Sequence, residues 1–139
     1  MATTRNAKAH WEGTLLEGHG TVDLVSSEIG NFPITWASRA ETANGRTSPE
    51  ELIAAAHASC FSMALSNGLA KNATPATSLD TSVEVDFQPG VGITEIRITV
   101  SGVVEGLDAA GFSAAAEEAK ANCPVSKALS AVPITLRVV

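Results

Sequence analysis

The segment from Ser48 to Asn72 constrains this chain more than any other, because its apolar residues are not confined to one side of a helix. Ser48, Pro49, Glu50 and Glu51 carry several helix-start signals together. Ser48 is the expected N-cap, Pro49 suits N1, where a missing N–H costs nothing, and Glu51 at N3 completes a capping box. Beyond them Leu52, Ile53, Ala56, Cys60, Met63, Ala64, Leu65 and Leu69 leave little polar surface except Ser and Asn side chains. A helix apolar on nearly every side is buried. A small sheet covers one side only, so the rest of the helix needs a second cover, and an intertwined homodimer is expected.

The remaining sequence supplies the sheets. Residues 9–25 read as a hairpin, with Trp11, Leu15, Leu16, Val22, Leu24 and Val25 flanking the turn-like Glu17-Gly18-His19-Gly20. A third short strand is predicted over Ile34 to Ser38, followed by a polar loop, Thr42 to Thr47, that contains Asn44-Gly45. Val83, Val85 and Phe87 alternate with Ser82, Glu84 and Asp86, and Ile96, Ile98 and Val100 with Glu95, Arg97 and Thr99. Joined by Gln88-Pro89-Gly90-Val91-Gly92, these runs predict a hairpin with one wet face. Asp108 caps an alanine-rich helix ending near Asn122, Pro124 restarts a short helix through Leu129, and a last strand runs from Ile134 to Val138. The order βββα then ββαβ implies an α+β domain. At 139 residues the chain fits a single domain spanning 1–139.

Apolar residues are 45% of the chain and the net charge is −6. That balance describes a globular protein without a polyanion-binding face, so nucleic acid is not an expected partner. Met1 to Lys8 is polar and basic, and no later segment reads as the roughly 18 apolar residues of a membrane span. The protein is therefore expected in the cytoplasm, away from membranes. In that reducing compartment Cys60 and Cys123 are either buried small hydrophobes or the two halves of a redox cycle.

The two cysteines have contrasting settings. Cys60 shares a helical stripe with Ile53, Ala56 and Ala64, with His57 and Met63 slightly to one side. Such neighbours exclude water and raise a thiol's pKa, so a functional Cys60 needs a nearby cation. Arg39, read as ending the third strand, and Arg46 in the loop are the candidates, and Glu50 is the carboxylate that could hold an arginine in place. Glu50 and Cys60 lie about 15 Å apart along a straight helix, so a shared site needs a reaching Arg39 side chain or a Glu50 from the neighbouring subunit. Cys123, before Pro124, occupies the N-cap of a short helix, where backbone N–H groups favour the thiolate. Local physics makes it the more acidic thiol.

Two such cysteines fit a peroxidatic and resolving pair, in which a hydroperoxide oxidises one to sulfenic acid and the other condenses with it to a disulfide. These considerations do not assign the roles. His57, one turn before Cys60, makes a Cys-His hydrolase dyad conceivable, without an evident third group and with a core hydrogen bond as its other use. A zinc site from Cys60, Cys123 and His57 lacks paired spacing and a fourth ligand. His10 and His19 read as solvated, and Trp11, Phe32, Trp36 and Phe61 as core or as the lining of an apolar pocket.

Longer motifs add a resemblance. Ala9-His10-Trp11-Glu12-Gly13, Ser48-Pro49-Glu50-Glu51-Leu52-Ile53, Ala55-Ala56-His57-Ala58-Ser59-Cys60-Phe61-Ser62-Met63-Ala64-Leu65 and Asn122-Cys123-Pro124-Val125-Ser126-Lys127 resemble the osmotically inducible protein C and organic hydroperoxide resistance superfamily over nearly the whole chain. The resemblance implies a thiol-dependent peroxidase with an intertwined dimeric fold and two sites at its interface, Cys60 peroxidatic and Cys123 resolving. It further implies Arg39 and Glu50 as the active-site arginine and glutamate of the osmotically inducible branch. The other branch takes its arginine from the first hairpin's loop, where this chain has Glu17-Gly18-His19-Gly20. The loop Thr42 to Thr47, with Arg46, departs from the family pattern.

The resulting expectation is reduction of organic hydroperoxides, and of hydrogen peroxide, to alcohols or water in oxidative or osmotic stress defence. A dithiol such as dihydrolipoamide, or another thiol, would regenerate the enzyme, with no cofactor and no metal. The competing expectation is a non-catalytic protein that holds a lipid-like ligand in an apolar groove.

Overall fold

Trp11 determines the form of the first hairpin. In the computed structural model, which describes residues 1–139, strands β1 (Lys8–Glu12) and β2 (His19–Asp23) pair antiparallel with Trp11 opposite Gly20. The indole lies across two glycines: a Cβ at Gly18 or Gly20 would stand 2.9 Å from the ring and closer still to backbone carbonyl oxygens. The Gly-His-Gly spacing is thus a packing requirement. Strand β3 (Asn31–Ile34) pairs antiparallel with β2, giving a sheet of order β1-β2-β3.

The strand predicted over Ile34 to Ser38 is corrected by the structure. β3 ends at Ile34, and the chain turns into a short helix, α1 (Trp36–Ala40). Thr35 Oγ1 accepts from the Ser38 amide at 3.0 Å and Ser38 Oγ accepts from the Thr35 amide at 3.0 Å, a reciprocal cap that outweighs the strand propensity of Ile, Thr and Trp. Ser38, which is buried, also donates toward the Thr47 carbonyl at 3.1 Å, so the cap anchors the following loop. That loop turns at Asn44 and Gly45, both at positive φ. These elements make up one compact unit, Met1–Pro49.

The second unit, Glu50–Val139, is built on α2 (Pro49–Lys71), whose first residue marks the boundary. β4 (Ala76–Gln88) and β5 (Gly92–Val104) form the long hairpin expected from alternation, with Val83 opposite Ile98 and Val85 opposite Ile96. Then come α3 (Ala109–Asn122), α4 (Pro124–Ala128) and β6 (Ile134–Val138). Asp108 caps α3 by accepting from the Gly111 amide at 2.7 Å. β6 runs parallel to β5, because two helices intervene and bring the chain back to the starting edge. The sheet order is β4-β5-β6, and the fold is α+β.

One face of β5 carries Ile96, Ile98 and Val100, all buried. Ile98 and Val100 pack with Phe61, Leu65 and Leu69 of α2, with Phe112, Ala116 and Ala119 of α3, and with Cys123. The opposite face is charged: Arg97 binds Asp86 at 2.6 Å, Glu95 at 3.0 Å and Glu84 at 3.2 Å.

Within the chain α2 buries one stripe, His57, Phe61, Leu65 and Leu69, spaced four residues apart. Ala55, Ala56, Ser59, Met63, Ser66 and Ala70 are exposed, Met63 by 67%. The expectation that α2 is buried all round therefore holds for half of its circumference within a single chain. A second expectation is overturned: with 23 residues and a window of mean hydropathy 1.3, α2 is long and apolar enough, by length and composition, to cross a membrane. Its many alanines raise hydropathy without forming an obvious run of large apolar residues. Phe61, Leu65 and Leu69 on this helix are nevertheless committed to the sheet.

Candidate functional site

The second unit brings Cys60 and Cys123 together. Cys60 sits at the start of the fourth turn of α2, half-buried, while Cys123 is fully buried between α3 and α4. Backbone bonding holds Cys123 from both sides: its amide donates to the Ala119 carbonyl at 2.8 Å and its carbonyl accepts from Lys127 at 3.0 Å. Both thiols are free.

Burial pushes the Cys60 thiol up; the Val125 amide opposes it, and the hydrogen bond to Cys123 and the charge of that sulfur add further upward pushes. Cys123 moves the opposite way. Burial raises its pKa, but the Ser126 amide, the Cys60 thiol, the Ser126 hydroxyl and the Val125 amide together outweigh that and lower it. The sulfur makes no tight capping bond. Even so, the first-turn amides of α4 face it and supply the N-terminal stabilisation expected of this position. The two thiols are thus biased in opposite directions, Cys60 toward keeping its proton and Cys123 toward losing it, and they titrate as a pair.

His57, one turn before Cys60, does not engage that thiol as its hydrogen-bond partner. Its Nε2 lies 2.7 Å from Ser126 Oγ, both residues are buried, and Nδ1 has no hydrogen-bond partner. Burial lowers the His57 pKa. Ser126 was not among the residues singled out from sequence. The signal was present in the spacing Cys123-Pro124-Val125-Ser126, which puts a hydroxyl at N3 of the helix that Cys123 caps.

A cleft of about 530 Å³ opens beside Cys60 between α2 and α3, lined by Cys60, Met63, Ala64, Ala115, Ala119 and Pro124, with the polar Asn67, Lys71, Asn72, Glu118 and Asn122 also on its walls. Its largely apolar lining suits a hydrocarbon chain with one end at a thiol. Glu50 is buried in the first turn of α2, ten residues from Cys60 and so about 15 Å along the axis.

Arg39 belongs to the first unit and lies on α1, not at the end of a strand. With Trp11, Leu15, Ile34, Thr35 and Trp36 it lines a cleft of about 320 Å³. Trp11 and Trp36 are thus pocket-lining, whereas Phe61 is core. Arg46 is exposed and reaches the Asn44 carbonyl at 3.4 Å. His10 and His19 are largely solvated and approach Glu12 at 3.2 and 3.5 Å.

Comparison with known proteins places the chain in a family. Residues 42–137 match the OsmC-like protein family. Peroxiredoxin OsmC of Escherichia coli is 42% identical over 94% of this chain and 93% of its own length. Among solved structures, an organic hydroperoxide resistance protein OsmC from Legionella pneumophila superposes with a TM-score of 0.76 at 24% identity, covering 99% of this chain and 98% of that one. The organic hydroperoxide resistance protein OhrB of Bacillus subtilis gives 0.66 at 25% identity, covering 96% and 98%. The family match over residues 42–137 and the 42% identity over 94% of the chain show that the chain belongs to the OsmC-like protein family.

Proposed function

We propose that this protein is a cysteine-dependent peroxidase that reduces organic hydroperoxides, and hydrogen peroxide, with Cys60 as the peroxidatic and Cys123 as the resolving cysteine. The observation that carries this reading is the meeting of two free thiols, remote in sequence, one of them bordering an apolar cleft. The likeness to a peroxiredoxin OsmC supports it.

In the proposed cycle Cys60, as thiolate, attacks the terminal oxygen of the hydroperoxide; the O–O bond breaks, an alcohol leaves after protonation, and Cys60 becomes a sulfenic acid. Because burial holds the Cys60 proton on, the thiolate needs a partner, and Arg39 is the proposed cation, steadied by Glu50. Cys123 then condenses with the sulfenic acid, releasing water and forming the disulfide. The balance is one hydroperoxide and two thiols to one alcohol, one disulfide and one water. A dithiol of the dihydrolipoyl kind, or another cellular thiol, restores the reduced pair, in the cytoplasm and in the context of oxidative or osmotic stress.

The active form is proposed to be a homodimer. The exposed stripe of α2 around Met63 is apolar and small-residued, and a second copy would cover it while offering a partner's Glu50 to the site.

The deciding experiment treats the reduced protein with one equivalent of cumene hydroperoxide and measures intact mass without reductant. Loss of two hydrogens and of both free thiols is expected. Unchanged mass with both thiols intact would overturn the reading in favour of a ligand-binding protein.

A further inference from the structure

His57 and Ser126 are both withdrawn from solvent, 0% and 6% exposed, and are joined by a 2.7 Å contact between Nε2 and Oγ. Ser126 stands at N3 of α4, three residues after the N-cap Cys123. The Ser126 hydroxyl is a hydrogen-bond partner of the Cys123 sulfur.

A serine hydroxyl has one hydrogen to donate. It can accept from a protonated Nε2 and turn its hydrogen toward Cys123, or donate to an unprotonated Nε2 and leave the sulfur without it. The surroundings select the first. Nδ1 is buried without a partner, and the interior tolerates a bare lone pair better than an unpaired N–H. The single hydrogen of the neutral imidazole therefore sits on Nε2.

We propose that His57 and Ser126 are positioning residues for the resolving step: His57 Nε2–H holds the Ser126 oxygen, and the Ser126 hydrogen holds the Cys123 sulfur as a thiolate directed at Cys60. The inference rests on the thiol-peroxidase reading and deepens it. In the step concerned, the Cys123 thiolate attacks Cys60 Sγ of the sulfenic acid. The S–S bond forms as the S–O bond breaks, the sulfenic sulfur is reduced and the thiolate sulfur oxidised, and the departing hydroxide takes a proton from solvent to become water. A chain of donors aimed at one sulfur strengthens as each link polarises the next. It is needed here because Cys123 has no access to water of its own.

The Cys123 sulfur is bonded by Cys60 of α2 and by Val125 and Ser126 of α4, and it shares the core with Ala116 and Ala119 of α3 and Ile98 and Val100 of β5; His57 reaches it through Ser126, while Lys127 and the cleft-wall Glu118 are exposed. The Ser126 hydroxyl acts in the direction that favours the thiolate.

The test uses the full-length reduced protein and separates two rates: consumption of stoichiometric cumene hydroperoxide, and disulfide formation by acid quench, alkylation and mass. In Ser126→Ala the disulfide step should fall at least tenfold more than the peroxide step, and its pH midpoint should rise. Ser126→Thr, which keeps the hydroxyl, should restore both. His57→Leu should resemble Ser126→Ala, and His57→Gln, which places an amide N–H near the Nε2 position, should recover part of the rate. Equal effects on both steps with an unmoved pH midpoint in Ser126→Ala would overturn the proposal while leaving the peroxidase reading intact. Absence of peroxide consumption by the unaltered protein would overturn both. Should His57→Leu fail to fold, 15N NMR of the unaltered protein decides the His57 role: a protonated Nε2 is expected, and an Nδ1–H tautomer would overturn it.

Discussion

His57 Nε2 and Ser126 Oγ, 69 positions apart in sequence, lie 2.7 Å apart in the interior of the second unit. This contact ties α2 to α4 beside the two cysteines. It also leaves a neutral imidazole where water cannot reach it.

Stability should record that burial. Desolvation sets the folded pKa of His57 below the ordinary 6.5. The unfolded chain therefore takes up a proton first as pH falls, and unfolding free energy should decline below about pH 6.5 with a slope of up to about 1.4 kcal/mol per pH unit. Above that pH both states are neutral at His57 and its contribution is flat. Urea unfolding at a series of pH values measures the slope, and His57→Gln should flatten it; an equal slope in that variant would assign it to other groups.

Removing Cys123 should make Cys60 easier to ionise. The Cys123 sulfur raises the Cys60 pKa by hydrogen bonding and by charge, second to desolvation. In Cys123→Ala, thiolate absorbance near 240 nm should titrate at lower pH than the later of the two steps in the unaltered protein. Excess peroxide should then carry Cys60 past sulfenic acid to sulfinic acid, read as a gain of two oxygens by mass. Sustained turnover with dithiol would contradict the resolving role.

Arg39→Ala should lower the second-order rate of peroxide reduction by about a hundredfold, the cost of removing one group that stabilises a developing charge. The thermal midpoint should change less than the rate does, because the reciprocal Thr35 and Ser38 cap that starts α1 stays in place. An unchanged rate in stopped-flow measurements would remove Arg39 from the site.

A charge on the open stripe of α2 should prevent assembly. Met63 is 67% exposed within the chain, so Met63→Glu should be tolerated by the fold of a single copy while a buried, unpaired carboxylate at a dyad interface is not. Light scattering at micromolar concentration should report a dimer for the unaltered protein and a smaller species for the variant. A monomeric unaltered protein would end the dimer proposal.

Several elements were legible from local chemistry. The start of α2 at Pro49, the cap of α3 by Asp108, the register-forming alternation of β4 and β5 and the N-cap position of Cys123 all depend on side chains within a few residues of one another. The segment after Ile34 was misread because β-branched and aromatic residues suggest a strand, while the cap between Thr35 and Ser38 acts over only three residues and uses Ser in place of the usual Glu. Arg39 moved with it from strand to helix.

Ser126 went unnoticed for a different reason. Its spacing from Cys123 was visible, but nothing nearby in sequence indicated a buried histidine to which it could bond.

The sequence by itself determined where the chain turns, which residues start its helices and that Cys123 carries the more stabilised sulfur, because capping and alternation act between near neighbours. Only the tertiary structure decided that Cys60 meets Cys123, that His57 meets Ser126 and which stripe of α2 faces the sheet. A helix apolar on every side offers no preferred face of its own, and contacts between distant segments arise only when α2, α3 and β5 close on one core.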